Sequence, residues 1–364
     1  MGTTRRLLAS GLLIGFGITA EGASAQRWFS NGHGTIDAEP PAGMALSADA
    51  CTAYCHAEAG EEWARSRHAV AFSNPIYAES ERTVAGREWC RNCHAPLQAQ
   101  RDGLARGDAS LASEGVNCAV CHVRDGRVLV ADPPDARTLE AHPSTWAPEL
   151  RDAAFCAGCH QFAMPDVGAF PAIHDTRVPM QDTYAEWRAS SSPERGETCQ
   201  TCHMPAGSHA FVRGAHDVEA LRAAVSTSVR ALVAPPGADP RVPGFGAEFT
   251  LSSTGVGHRF PTGDPFRRLV VQVCAEPACT GVLASADAGR GFVGDAAGWR
   301  VSEDRSIPPP GPDDEASRVL IVPVASPPPW RWRLLYSYVE PRLWDRVDPV
   351  LRDVALAEGE VAAP

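Results

Sequence analysis

The chain of 364 residues contains no lysine: its 33 basic residues are all arginine, set against 44 acidic ones, for a formal net charge of −11. So acidic a protein is a poor partner for nucleic acid or an anionic lipid surface, and suits docking onto a basic protein. Beyond residue 20 no apolar run approaches the length of a membrane span, which argues against a span in the mature chain. No cysteine stands at the expected leader-cleavage site to carry lipid. Between residues 51 and 203 long apolar runs are again scarce, and Gly and Pro break the chain, as in Asp132-Pro-Pro-Asp135. Side chains alone cannot build an ordinary core there.

What that segment holds instead is paired cysteines followed by histidine. Four stretches are Cys-x-x-Cys-His: Cys90–Cys93–His94, Cys118–Cys121–His122, Cys156–Cys159–His160 and Cys199–Cys202–His203. A fifth, Cys51-Thr-Ala-Tyr-Cys55-His56, has one residue more between its cysteines. This pattern attaches c-type haem: two thiols add to the vinyl groups and the adjacent imidazole takes one axial face of the iron. At this cysteine and histidine content chance would supply about 0.01 such motifs. Zinc needs no histidine after every pair, and a redox dithiol occurs once, after a strand. The expected cofactor is therefore haem c, five copies, with the porphyrins serving as the missing core.

Each iron has a second axial face. Seven histidines lie outside the motifs: His33, His68, His142, His174, His209, His216 and His258. Residues 61–72, rich in helix formers, predict a helix of about four turns carrying His68. His209 and His216 flank Gly214 in a loop, His142 leads into the Cys156 motif, and His258 projects from Gly257-His258-Arg259-Phe260-Pro261-Thr262-Gly263. His68, His142, His209, His216 and His258 are the expected distal ligands. With supply exceeding demand, six-coordinate irons are the default, although the count leaves room for an open one. The phrase Glu62-Trp63-Ala-Arg-Ser66 reappears as Glu186-Trp187-Arg-Ala-Ser190, each copy ahead of an attachment motif, with Ser192 at the position of His68.

Residues 1–25 read as a secretory signal, with Arg5-Arg6, an apolar stretch and Ala23-Ser-Ala25 before the cut. Its removal takes away two arginines and Glu21, leaving −12. The mature protein is expected in the periplasm or outside the cell. Residues 26–50 form an N-terminal arm, 51–224 the pentahaem region and 225–364 a β-sandwich-like domain of about seven strands. The strands are expected at 225–233, 247–251, 269–273, 319–324 and 330–338, separated by turn clusters. In an oxidising compartment Cys274 and Cys279 are expected to form a disulfide. Arg259, Arg267 and Arg268 read as a solvated turn face, with capture of an anion as the alternative.

The chain resembles the multihaem c-type cytochromes of the broad group that includes secreted tetrahaem electron carriers. Beyond the motifs, the resemblance rests on Glu-Trp-x-x-Ser-x-His before His68, Cys-His-Ala-Pro-Leu at 93–97, Gly-Val-Asn-Cys at 115–118, Cys-His-Met-Pro at 202–205 and the phrase around His258. It implies short helices and loops wrapped around stacked haems, a C-terminal β domain, and electron transfer with other redox proteins as partners. It also implies distal ligation by His68, His209, His216 and His258. No lysine replaces a proximal histidine, as it does at the catalytic haem of pentahaem nitrite reductases. The reading is an electron carrier rather than a catalyst. The alternatives are an oxidoreductase with one open iron acting on a small nitrogen or sulfur compound, and a self-assembling subunit of an extracellular filament.

Overall fold

The computed structural model describes residues 35–83, 87–163, 179–233, 244–295, 298–311, 316–339 and 347–362. The leader, the part of the arm with His33, and the stretch with Met164 and His174 lie outside these residues. Among the described residues no helix is long and apolar enough to cross a membrane.

Between Asp49 and Ala223 the described residues form a string of short helices of three to nine residues. Two small strand groups interrupt it. Strands β1 (Val123–Arg124), β2 (Arg127–Val130) and β3 (Ser144–Trp146) form one; β4 (Phe162–Ala163) and β5 (Pro179–Gln181) form the other. Apolar burial here is sparse. One cluster joins Ile36, Ala38, Leu97, Ala119, Val120 and Val123, and another joins Leu129, Ala147 and Phe155.

The expected long helix through His68 is not formed. Its helix runs Ala57–Ala64 and residues 65–73 are turns, because the backbone has better partners outside the helix. The His68 carbonyl accepts from the Val116 N–H at 2.9 Å and the Ala71 N–H at 3.2 Å. The Trp63 indole donates to the Val116 carbonyl at 2.9 Å. Gly115 makes the approach feasible: it sits at φ +58°, and a Cβ on it would stand 2.5 Å from the His68 carbonyl oxygen.

After the helix Val218–Ala223 the chain becomes β-structure. Its strands are β6 (Val225–Val233), β7 (Phe245–Ser253), β8 (Arg268–Cys274), β9 (Val282–Asp295), β10 (Gly298–Asp304), β11 (Ser317–Val324), β12 (Trp330–Ser337) and β13 (Asp353–Val361). That is eight strands among the described residues where sequence patterning pointed to about seven. They pair antiparallel in two sheets, β10-β9-β8-β12-β13 and β11-β7-β6. Alternation places Leu320, Val322 and Val324 of β11 inward and leaves Val319 and Ile321 exposed. The inward faces meet in one core with Phe249, Leu251, Leu269, Val271, Trp330 and Leu334 at its centre. Cys274 and Cys279 are disulfide-bonded, Cα atoms 5.1 Å apart, closing the β8–β9 loop as expected.

The loop from 254 to 267, which carries His258, is sewn to this core. Phe260 and Ile307 exchange backbone hydrogen bonds of 3.0 and 2.9 Å, and both side chains are buried. Across the junction with the helical part, the Tyr338 hydroxyl donates to the Ala215 carbonyl at 2.7 Å, and Arg290 donates to the Pro179 carbonyl at 2.7 Å. The β-region therefore presents its loop to the motif segment rather than standing apart from it.

Candidate haem-binding site

The four strict motifs lie on short helices: Arg87–His94, Cys118–His122, Ala153–His160 and Cys199–His203. On a helix, Cys, Cys and His at i, i+3 and i+4 share one face, so both thiols and the imidazole point the same way. Local sequence starts three of these helices. Asn117 accepts from the Ala119 N–H, Asp152 from the Ala154 N–H and Thr198 from the Thr201 N–H, each satisfying a free first-turn donor. The Cys51 motif is built differently. Cys51 is on the one-turn helix Asp49–Thr52, exposed Cys55 lies in the turn after it, and His56 precedes the next helix. The inserted residue puts its groups out of helical register.

Three of the motif histidines are oriented by backbone carbonyls. Nδ1 lies 2.7 Å from the Ala71 oxygen for His94, 2.9 Å from Leu129 for His122 and 2.8 Å from Val212 for His203. His258 does the same with its neighbour Arg259 at 2.8 Å. An Nδ1–H engaged in this way leaves Nε2 as the free lone pair, the usual arrangement behind a metal-bound imidazole. Burial also disfavours the imidazolium: it holds His94 and His122 below the usual range and takes His160 and His258 down to about 4 and His68 to about 3. A neutral ring is the form that coordinates.

Three motif histidines face a histidine from elsewhere in the chain. Ring centroids are 6.4 Å apart for His68 and His160, 6.1 Å for His122 and His209, and 6.3 Å for His203 and His258. A metal–imidazole bond is about 2 Å, so two rings on opposite faces of one ion have centroids roughly 6 Å apart. The described pairs have the spacing of a bis-histidine iron. Among the described residues no three His, Cys, Asp or Glu side chains converge as a zinc site requires. The structure thus brings His68, His209 and His258 to motif histidines, which the residues fit as haem c ligands. His142 is elsewhere, its Nδ1 2.9 Å from the Ser144 hydroxyl, and His216 keeps a buried Nδ1 without a partner. Neither makes ring contact with a motif histidine among the described residues. His94 is stacked instead on Tyr77, centroids 3.9 Å apart.

The thiols show which attachment sites are neighbours. Cys51 lies beside Cys118, Cys93 beside Cys159 and Cys156 beside Cys199, each pair close enough for one thiol to shift the ionisation of the other and each joining two different motifs. Cys121 lies close enough to both Cys156 and Cys159 to raise their thiolates in energy or be raised by them. Sequence reasoning had no access to this adjacency.

Around the pairs the arginines are not a solvated turn face. The Arg268 side chain is 11% exposed and 3.5 Å from Asp287, and Arg259 is 3.8 Å from Asp304. Arg267 is largely enclosed; burial opposes its charge, but Tyr336 and Asp264 outweigh burial and hold the guanidinium cationic. Arg267 and Arg67 act on each other electrostatically near His68, His160 and His216, a positive region suited to the carboxylates of haem.

Glu186, missed by sequence reasoning as a buried acid, is 5% exposed. Burial pushes its carboxyl up from 4.5 to about 7, although Thr262 and Arg290 pull the other way. The folded protein therefore binds this proton more tightly than the unfolded chain. Its stabilising contribution is complete below pH 4.5 and disappears as pH rises through about 7, a difference of up to about 3 kcal/mol. Denaturant unfolding at pH 5 and pH 8 should show wild type losing more stability across that interval than Glu186→Gln. Equal losses in the two proteins would refute the assignment.

The family described as Cytochrome c554 and c-prime matches residues 50–123. No curated protein matches the chain. The crystal structure of a penta-heme cytochrome c552 from Thermochromatium tepidum is similar over 86% of this chain and 98% of that one, at 23% identity and a TM-score of 0.61. The fold is that of a multihaem c-type cytochrome, short helices first and a sheet-rich C-terminal region after them.

Proposed function

We propose that the protein is an exported pentahaem electron carrier, periplasmic or at the cell surface, in which at least three irons are closed by two histidines. The observation that carries this reading is the set of three histidine pairs at 6.1–6.4 Å, each joining an attachment motif to a distant residue. Haem c supplies one-electron oxidation and reduction at its iron. The cysteines of all five motifs, Cys51 and Cys55 included, hold it covalently. His56, His94, His122, His160 and His203 would each hold one iron, and His68, His209 and His258 would share that role with His160, His122 and His203. His142 and His216 are the described candidates for the remaining two.

The chain's own contribution to transfer is placement. The Cys51–Cys118 contact sets the first site beside the third. The Cys93–Cys159 and Cys156–Cys199 contacts set the second and fifth beside the fourth, with Cys121 linking the third to the fourth. This order makes the Cys156–His160 site the junction of the relay. The acidic surface favours basic redox proteins as donor or acceptor.

A haemochrome assay with the intact mass of the mature holoprotein tests the cofactor count: five haems are expected, and a colourless protein of polypeptide mass would overturn the proposal. His68→Ala, His209→Ala and His258→Ala should each create one additional high-spin, carbon monoxide-binding haem. Unchanged spectra in all three would remove the bis-histidine assignment. Carbon monoxide binding by the reduced wild type would count irons already open and favour an oxidoreductase.

A further inference from the structure

The phrase Glu-Trp-x-x-Ser recurs in space as well as in sequence. Trp63 donates its indole N–H to the Val116 carbonyl at 2.9 Å, two residues ahead of Cys118. Trp187 donates to the Glu197 carbonyl, also at 2.9 Å and also two residues ahead of a motif, Cys199. The glutamates act on the opposite side of the same two sites. Glu62 accepts from the Ser208 hydroxyl at 2.8 Å and from the His209 backbone N–H at 2.7 Å. Glu186 accepts from the Thr262 hydroxyl at 2.5 Å, in the loop that carries His258, and lies 3.7 Å from Arg290. The first copy therefore grips the Cys118 motif and its facing residue His209; the second grips the Cys199 motif and its facing residue His258. Ser192, at the position of His68, packs where a Cβ on Gly257 would meet its hydroxyl at 2.5 Å, one residue from His258.

We propose that Glu62 and Glu186 are positioning residues of a duplicated clamp, in which the neighbouring tryptophan fixes the entry to an attachment motif and the carboxylate fixes the loop that brings the opposing histidine. The clamp rests on the bis-histidine reading above. Its physical logic is that His209 and His258 lie on loops, whose backbones have no regular ladder to hold them. His209 is preceded by the turn at Ala206 and Gly207, both at positive φ, and followed by Phe211 and Arg213, also at positive φ. Two hydrogen bonds to a carboxylate replace the missing ladder at that point. Glutamine can keep both contacts, its oxygen accepting from the His209 N–H and its amide donating to the Ser208 hydroxyl, but without the negative charge that strengthens them.

The test uses mature holoprotein with full haem content, read by low-temperature electron paramagnetic resonance and carbon monoxide titration of the reduced form. Glu62→Ala should raise the open fraction of one haem by about tenfold or more over wild type, matching the loss of a charge-assisted hydrogen bond. The affected haem should be the one opened by His209→Ala, so that the double variant opens no second iron. Glu186→Ala should do the same for the His258 haem, and only for it. Glu62→Gln and Glu186→Gln should be intermediate, and they serve if the alanine variants fail to accumulate. Wild-type low-spin signals retained in both glutamate series would overturn the clamp, as would a loss spread evenly over all haems. A wild type already high-spin at these two haems would instead overturn the bis-histidine reading and the clamp with it.

Discussion

Expressed without haem attachment, the chain from residue 51 to 203 is expected to show no slow-exchanging amides, while the β-region keeps its own. The contrast follows from where apolar side chains are buried. Twenty residues between Leu221 and Val361 form one cluster, with Phe249, Leu251, Leu269, Val271 and Leu334 fully enclosed. Among the described residues the motif segment contributes four to a cluster shared with Ile36 and Ala38 of the arm, and three to another. Ordering a residue's backbone costs about 1–2 kcal/mol, and nothing on that scale is recovered by so few apolar contacts. Its helices are also short, three to nine residues, well under the length at which a helix holds by itself. Covalently held porphyrins supply the missing apolar area. Hydrogen exchange read by mass spectrometry on haem-free and mature protein separates the outcomes: protected amides at 118–122 and 153–160 in the haem-free chain would disprove this account of the core.

Phe260→Ala is expected to destabilise the β-region by about 3–5 kcal/mol, the range for deleting a buried phenylalanine ring. Phe260 is 5% exposed, packs 5.9 Å from the Tyr336 ring and belongs to the main core. The same residue carries the backbone bridge to Ile307 two positions after His258. Its loss should therefore loosen the His258 loop as well as the sheet packing, and raise the high-spin fraction at one haem. Phe260→Leu keeps most of the apolar volume and should cost less than half as much. Denaturant unfolding followed by circular dichroism gives the stability. A change under about 1 kcal/mol for the alanine variant would show that the loop is not anchored through this ring.

Several features were legible from residue pattern alone. The strand at 225–233 is legible from alternation, the one expected at 330–338 from its aromatic, β-prone residues and the disulfide at 274–279 from compartment chemistry; the structure has them, the second ending at Ser337. Strands β9, β10 and β13 were not anticipated; for β9 the reason is that 282–295, rich in Ala and Gly, carries a weak alternation signal. The helix expected through His68 failed for a different reason: its propensity was sound, but the Val116 N–H takes the His68 carbonyl that a helix would have used, and the Trp63 indole holds Val116 in place through its carbonyl. Nothing in the residue pattern beyond the repeated phrase gives Glu62 and Glu186 a role; contacts with Ser208, His209 and Thr262 reveal it.

The amino-acid order by itself marks where the proposed haems attach, since two thiols and an imidazole within five residues need only one turn of helix to act together. It also determined that the segment around them lacks an interior of its own. Which histidine opposes which was decided by the tertiary structure alone. His68 meets His160, His209 meets His122 and His258 meets His203 across long stretches of chain, and such pairings depend on how loops are held rather than on spacing. The same holds for the closeness of cysteines from different motifs, from which the proposed order of the relay is read.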